Sequence, residues 1–152
     1  MAHHKAAQRV VFVCFVLICG CAVAQDSVGV TRYEFGGVWV GKMIQPNGPR
    51  GQAGYSQFLQ LWVHGSFVQG VARIEIPDTS FYGEMTFSGA IRNDSLFFSE
   101  DSILSQKERE GYWWCLKKGV LILDRSTMRL AGEWQSRDCD PGRIELHRIF
   151  EQ

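Results

Sequence analysis

Apolar side chains recur at every second position along most of the chain from Phe35 onward. Between residues 81 and 91, Phe81, Met85 and Phe87 occupy one face and alternate with polar or small residues. The segments 130–134 and 144–150 repeat the pattern. A period of two is typical of strands with one buried face, and no window of the chain shows a comparable helical stripe. The sequence therefore predicts an all-β protein.

Turn-forming residues divide this part of the chain into eight or nine short strands. Pro46-Asn47-Gly48-Pro49 and Asp140-Pro141-Gly142 are the strongest of these signals. Short connections favour antiparallel pairing between successive strands. The predicted strands cover residues 36–45, 55–64, 67–76, 81–92, 95–105, 111–117, 119–124, 128–136 and 143–150.

Glycines within these strands favour a barrel over a sandwich. Gly70, Gly89 and Gly132 lie at interior positions, where glycine normally weakens a sheet. A strand that coils tightly around a small barrel uses glycine at the bend, and closure also removes exposed sheet edges. We predict an antiparallel up-and-down β-barrel over residues 35–152.

The first 24 residues have the features of a secretory signal peptide. Lys5 and Arg9 precede an apolar run at 10–24, which ends in the small-residue sequence Ala22-Val23-Ala24. Residues 25–34 would then form a short N-terminal extension. Two alternatives are an uncleaved N-terminal anchor and a lipoprotein acylated at Cys21. The predicted location is secreted or periplasmic, or the outer membrane for the lipoprotein.

Removal of the signal peptide changes the cysteine count from five to two. Cys14, Cys19 and Cys21 would be lost, which leaves Cys115 and Cys139. Two cysteines in an exported domain favour one disulfide, although two separate thiols are the alternative. No histidine or third cysteine has a metal-ligand spacing near either residue, so we expect no metal site.

The charge balance and motif content exclude several classes of function. Lys plus Arg and Asp plus Glu each number 16, and no basic stripe indicates nucleic-acid binding. The sequence contains no P-loop, no nucleophile elbow and no zinc-protease motif. We therefore expect no nucleic-acid partner and no cofactor.

The segment Phe35-Gly36-Gly37-Val38-Trp39 resembles the opening of the calycin superfamily, which comprises lipocalins, fatty-acid-binding proteins and avidins. The resemblance implies that Trp39 plugs one end of the barrel and that Arg148, on the last strand, packs over its ring. Such a cation–π contact contributes about 0.5–2 kcal/mol. It also implies a barrel that binds a small ligand.

Other features differ from the individual calycin families. Gly41 stands where avidins carry an asparagine, and residues 46–51 do not suit the helical lid of fatty-acid-binding proteins. With Trp114-Cys115 and Cys139-Asp140-Pro141-Gly142, the chain looks most like small exported calycin-like domains of bacterial envelopes.

Large apolar side chains are the candidates for lining or filling the barrel. Aromatic residues suit a pocket because they combine a large apolar face with a polar edge, but they are equally suited to a packed core. The predicted interior or ligand-lining residues are Trp39, Trp62, Met85, Phe87, Phe98, Trp114 and Trp134.

Three predicted strands are apolar on both faces: residues 55–64, 95–99 and 111–117. An outward apolar row indicates a homodimer or an envelope protein partner, unless residues 25–34 cover it.

Ionisable residues give only a weak indication of catalysis. Glu84, Glu100, Asp101 and Glu133 lie in or beside apolar strands, and converging carboxylates inside a cavity would permit acid–base chemistry. His64 and His147 have no partner motif, so no catalytic residue is assigned.

Three hypotheses follow. The first is a non-catalytic barrel that binds a small apolar or aromatic-compatible molecule. The second is a structural or protein-interaction module with a filled barrel. The third is a lipid-modifying enzyme on the same scaffold. A cavity of about 300 Å³ or more would favour the first.

Overall fold

The computed structural model describes residues 33–51, 54–77, 80–108, 110–111 and 113–149. The predicted signal peptide at 1–24, the lipidation site at Cys21 and most of the extension at 25–34 lie outside these residues. Those three interpretations stay predictions.

Eight antiparallel strands form a closed barrel in which each strand pairs with its neighbours in sequence and the last pairs with the first. The all-β, up-and-down architecture predicted from the alternating pattern is confirmed. The strands are β1 (Gly37–Ile44), β2 (Tyr55–His64), β3 (Phe67–Glu75), β4 (Tyr82–Arg92), β5 (Ser95–Lys107), β6 (Lys118–Asp124), β7 (Arg129–Gln135) and β8 (Gly142–Ile149).

Glycines permit neighbouring strands to approach closely where the sheet coils. A Cβ atom at Gly41 of β1 would lie 2.0 Å from the backbone oxygen of Glu145 on β8. A Cβ atom at Gly132 of β7 would lie 1.9 Å from the backbone oxygen of Val120 on β6. Any larger residue would push these strands apart, which explains why glycine occurs inside strands of this barrel.

The barrel interior holds the hydrophobic core, since alternate residues of each strand point inward. On β2, Leu59 and Leu61 are almost fully buried while Gln60 between them is exposed. The largest fully buried side chains are Trp39, Phe35, Leu59, Leu61, Ile74, Met85, Leu96, Leu121, Leu130, Ile144, Leu146 and Val68.

One barrel end is closed by the N-terminal turn and by β1. Phe35 and Trp39 are fully buried there, and the Trp39 indole Nε1 donates a hydrogen bond to the backbone oxygen of Phe35 at 2.9 Å. Arg125 of the β6–β7 turn pairs with Glu34 at 2.7 Å and also with Asp94 of the β4–β5 turn. We call this the closed end.

The predicted strand at 111–117 is wrong, so the barrel has eight strands rather than nine. Residues 113–117 have no regular secondary structure and belong to the connection between β5 and β6. β5 continues to Lys107, but its pairing with β6 covers only Ser95 to Ser99. The apolar residues of the connection are typical of a strand, but they do not pair with a neighbouring strand. They lie across the barrel end that is opposite to the closed end. We call residues 113–117 the return segment, and this end the open end.

Candidate functional site

A cavity of about 650 Å³ occupies the open end of the barrel. Strand ends of β1, β2, β3 and β7 contribute its inner wall, and the loops at that end form its rim. The described lining residues are Met43, Gln45, Asn47, Gly48, Pro49, Tyr55, Ile74, Gly111, Trp113, Trp114, Cys115, Lys117, Trp134, Arg137, Asp138, Cys139 and Asp140.

The return segment forms one side of this cavity and is held by a packed indole. A Cβ atom at Gly83 of β4 would lie only 2.7 Å from the ring of Trp114, so glycine is needed there for the indole to lie against the strand. The Trp114 Nε1 atom also donates to the backbone oxygen of Lys107 at 3.4 Å. Trp113 is 65% exposed, although it lines the cavity.

A disulfide joins Cys115 in the return segment to Cys139 in the loop between β7 and β8. The predicted bridge is confirmed, but it starts from a connection and not from a sixth strand. The two Cα atoms lie 6.2 Å apart, and 24 positions separate the residues in sequence. The bridge therefore fixes the return segment across the open end.

A buried ion pair lies at the side of the cavity formed by the return segment. The Lys117 Nζ atom lies 2.6 Å from Glu100 Oε2, and the two side chains are 2% and 1% exposed. Glu100 Oε2 also accepts a hydrogen bond from the Lys117 backbone N–H at 3.0 Å, and the Glu100 N–H donates to the Lys117 carbonyl at 2.7 Å. These backbone contacts connect the return segment to β5 in the region where β6 no longer pairs with β5.

Burial shifts the protonation of both members of this pair. Desolvation raises the pKa of Glu100 above its ordinary value, against the opposing effect of the nearby ammonium. Desolvation likewise lowers the pKa of Lys117, although the Glu100 carboxylate acts in the opposite direction. Both shifts favour the uncharged forms of the two groups.

The indole of Trp134 lies next to this pair. Lys117 Nζ is 5.8 Å from the Trp134 ring centroid, which is within cation–π range when the amine is protonated. Trp134 is 2% exposed, and within the described part of the chain its Nε1 donor has no hydrogen-bond partner. A buried, unpaired donor costs about 1–3 kcal/mol.

The rim of the cavity joins two loops that are distant in sequence. Gln45 Nε2, at the end of β1, donates to the backbone oxygen of Asp140 at 2.9 Å. Arg137, Asp138 and Asp140 add one positive and two negative charges to the exposed rim. The interior is thus apolar and aromatic, whereas the entrance is polar.

Five of the seven predicted interior residues are buried within the barrel: Trp39, Met85, Phe87, Phe98 and Trp134. Phe87 and Phe98 stack with ring centroids 5.0 Å apart, so they fill the barrel instead of lining the cavity. Trp134 and the half-buried Trp114 are the predicted residues that line the cavity. Whether either contacts a ligand stays a prediction.

Trp62 lies on the outer surface, contrary to the expectation that it is an interior residue. Its side chain is 46% exposed, while the preceding Leu61 is almost fully buried. The alternation along β2 allows only one of two neighbouring residues to face inward, and Leu61 takes that position. The hydrophobicity of Trp62 does not overcome this geometric constraint.

Trp39 and Arg148 are directly opposite each other in the pairing of β1 with β8. The Arg148 guanidinium lies over Gly37, where an added Cβ atom would be 3.2 Å from Nη2. Its Nη1 atom donates to the backbone oxygen of Glu34 at 3.3 Å. The pair therefore lies at the closed end, and its predicted role in plugging the barrel stays a prediction.

The outer surface carries an apolar row across β3, β4, β5 and β6. Phe67 pairs with Ala90, Ala90 with Phe97, and Phe97 with Val120. Phe67 is 67% exposed, and Ile122 is also exposed beside this row. Phe97 of the predicted segment 95–99 belongs to this row, and Trp62 of segment 55–64 is also an outward apolar side chain, as predicted; residues 113–117 are not part of a strand surface.

The remaining candidate ionisable residues do not converge. Glu84 is half-buried on the outer face, and Asp101, Glu133, His64 and His147 are exposed. Glu100 alone among the four carboxylates is buried, because it shares the inward face of β5 with Leu96 and Phe98. Alternation along β5 could have placed Glu100 inside, but no sequence pattern identifies Lys117 as its partner.

Within the described ranges, no cluster of three or more His, Cys, Asp or Glu side chains is placed to hold a metal ion. Those ranges also contain no helix with the length and apolar character needed to cross a bilayer.

No protein-family model matches the sequence, and no curated protein matches it significantly. The closed eight-stranded barrel is compatible with a calycin-like protein.

Proposed function

We propose that the protein is a non-catalytic barrel that binds a small apolar or aromatic molecule at its open end. The cavity of about 650 Å³ is the observation that carries this proposal. Typical small-molecule sites measure about 300–1,000 Å³ and combine apolar walls with a few polar groups. This cavity is lined by three indole rings and a few polar groups, among them the buried Lys117, which is the same combination.

The division of the barrel into two ends supports the same function. Phe35 and Trp39 fill the interior at the closed end. The stacked rings of Phe87 and Phe98 fill the interior of the barrel farther along. At the open end, by contrast, the cavity lies between the loops and the buried indole of Trp134. The disulfide holds one wall of the cavity before a ligand arrives, which reduces the entropy cost of binding.

We further propose that the barrel is calycin-like and works outside the cytoplasm, either secreted, periplasmic or attached to the outer membrane. The segment from Phe35 to Trp39 and the closed barrel support the family assignment. A disulfide fits an oxidising compartment. The intact mass of the native protein tests export, because processing after Ala24 or acylation at Cys21 gives different masses.

Titration with N-phenyl-1-naphthylamine, a neutral dye that fluoresces in apolar surroundings, tests ligand binding. We expect saturable binding to the wild type and about tenfold weaker binding to Trp113→Ala, which removes an exposed cavity wall. Trp62→Ala is the matched control, because Trp62 is an exposed indole on the outer wall. Equal weakening in both variants, or no saturable binding, would contradict the proposal.

The second candidate function is a protein-interaction module, and the outer apolar row favours it. Phe67 and Phe97 are exposed on either side of Ala90, and the half-buried Val120 pairs with Phe97. Sedimentation velocity of the wild type and of Phe67→Ser/Phe97→Ser tests this function. A dimer that the double substitution converts to a monomer supports it, and a monomeric wild type at high concentration argues against self-association.

A further inference from the structure

Lys117 places a primary amine on the wall of an aromatic cavity, away from bulk water. Its side chain is 2% exposed and lines the same space as Trp113, Trp114 and Trp134. Its sequence neighbour Lys118 is exposed on the outer face of β6. Two adjacent lysines therefore occupy opposite environments, and only Lys117 is positioned to meet a molecule inside the barrel.

The Lys117 nitrogen has three sites that can hold a hydrogen atom or a lone pair, and two contacts account for two of them. Nζ lies 2.6 Å from Glu100 Oε2 and donates to the backbone oxygen of Cys115 at 3.1 Å. When both N–H bonds of a neutral amine donate to these two oxygens, its lone pair is the remaining position, and the Glu100 carboxyl then carries its proton on Oε1. Burial lowers the pKa of Lys117 and thereby favours this nucleophilic form.

We propose that Lys117 captures an aromatic or apolar aldehyde in the open-end cavity as a reversible imine, with Glu100 as the proton carrier. This inference rests on the proposed function, because the aldehyde must first enter the cavity. The indole walls select an apolar body for the molecule, and the amine selects an electrophilic carbonyl carbon. The class of ligand is therefore a hydrophobic aldehyde.

The reaction balances with the groups already present. The Lys117 nitrogen forms a bond to the carbonyl carbon, and the carbonyl oxygen takes the proton of the Glu100 carboxyl. The nitrogen returns one proton to Glu100, which then protonates the hydroxyl so that the C–O bond breaks and water leaves. The product is a protonated imine paired with the Glu100 carboxylate, and it needs no oxidant or reductant.

The position of Glu100 suits both proton transfers. Its carboxyl is within hydrogen-bond distance of the amine, and burial raises its pKa, which favours the acid form. The backbone N–H of Lys117 fixes Glu100 Oε2 at 3.0 Å. After the reaction, the carboxylate neutralises the charge of the protonated imine at this buried position.

Reductive trapping on the full-length protein tests the proposal. The protein is incubated with 2-naphthaldehyde and sodium cyanoborohydride, and peptide mass spectrometry locates the modified lysines. We expect Lys117 to react about tenfold faster than the exposed Lys42, Lys107 and Lys118. Lys118→Arg is the matched control and should leave the labelling of Lys117 unchanged.

A second variant distinguishes the loss of the amine from a loss of the fold. Lys117→Met alone leaves the Glu100 carboxyl buried without its partner, whereas Glu100→Leu/Lys117→Met removes both groups. The double variant should keep the circular dichroism spectrum and lose the fast labelling. Even labelling of all accessible lysines, or fast labelling that persists in the double variant, would overturn the proposal.

Displacement of N-phenyl-1-naphthylamine by 2-ethylnaphthalene separates this inference from the proposed function. This probe has a similar shape but no carbonyl. If 2-ethylnaphthalene displaces the dye and 2-naphthaldehyde does not label Lys117, the imine proposal fails and the binding function stands. If neither the dye nor either naphthalene binds, both proposals fail.

Discussion

Glu100 of β5 and Lys117 of the return segment form an ion pair inside the barrel, with 2.6 Å between Oε2 and Nζ. The residues lie in a region where β5 has no strand partner on the β6 side. The pair and its flanking backbone hydrogen bonds connect the return segment to the barrel wall at this point. The ion pair and these hydrogen bonds therefore help to hold the cavity wall in place.

Removal of one member of the pair should destabilise the protein more than removal of both. Lys117→Met leaves a buried carboxyl without its partner, and such losses cost roughly 3–5 kcal/mol. Glu100→Leu/Lys117→Met replaces the pair with apolar groups and should be neutral or up to about 4 kcal/mol more stable than the wild type. Urea denaturation of the four proteins of the cycle measures the effect. A double variant less stable than either single variant would contradict it.

The advantage of this double variant should depend on pH. The raised pKa of Glu100 means that its stability contribution is fully present below the unfolded value of 4.5 and is lost as the pH rises through the folded pKa. The lowered pKa of Lys117 gives a contribution that is present above 10.5 and is lost as the pH falls through the folded pKa. Each group therefore costs stability at a pH where the folded protein holds it in its charged form.

The free energy of unfolding of the double variant, relative to Lys117→Met, isolates the Glu100 contribution and should consequently decrease as the pH falls from neutral to below 4.5. Denaturation curves at the two conditions measure this difference. Arg73→Gln, which alters an exposed ion pair with Glu75, is the control. An increase of the difference in acid would show that the folded protein holds Glu100 as a stabilised carboxylate.

Loss of the disulfide should weaken both the fold and the site. For Cys115→Ala/Cys139→Ala, the chain-entropy model with a separation of 24 residues gives a loss of about 3 kcal/mol. The affinity for N-phenyl-1-naphthylamine should fall too, because the return segment forms a wall of the cavity. Thermal denaturation and dye titration measure the two effects. Unchanged dye affinity would show that the return segment holds its position without the bridge.

Substitution of phenylalanine for each of two buried indoles should change the stability by different amounts. Trp134→Phe removes a donor without a described partner, so stability should change by less than about 1 kcal/mol. Trp39→Phe breaks the bond from Nε1 to the Phe35 oxygen and leaves that buried acceptor unpaired, at a cost of about 1–3 kcal/mol besides the lost packing. Urea denaturation compares the two variants. Equal losses would contradict the hydrogen-bond assignment.

The sequence predicts the barrel well because its main determinant is local. Alternation and turn residues fix which side chains point inward, and glycines such as Gly41 mark where strands approach. The site was harder to predict because it depends on a connection without a repeating pattern. The apolar residues of the return segment look like a strand, and only the long-range contacts of Cys115 and Lys117 reveal its course.

Trp62 shows that the hydrophobicity of a side chain alone does not predict its burial. The residue type suggests the interior, but its position beside Leu61 requires the exterior. Glu100 is the complementary case, since its charge suggests the surface while its alternation with Phe98 places it inside. At both positions, the phase of the strand determines burial more strongly than the polarity of the side chain.

Methyl NMR of the methionines tests the central claim, ligand binding at the open end, most directly. Met43 lines the cavity, Met85 is buried in the packed interior, and Met128 lies in the β6–β7 turn at the closed end. On titration with 2-ethylnaphthalene, we predict a large saturable shift of the Met43 methyl signal, a smaller shift at Met85 and none at Met128. A Met43 signal that does not move, or a larger shift at Met128, would contradict the account.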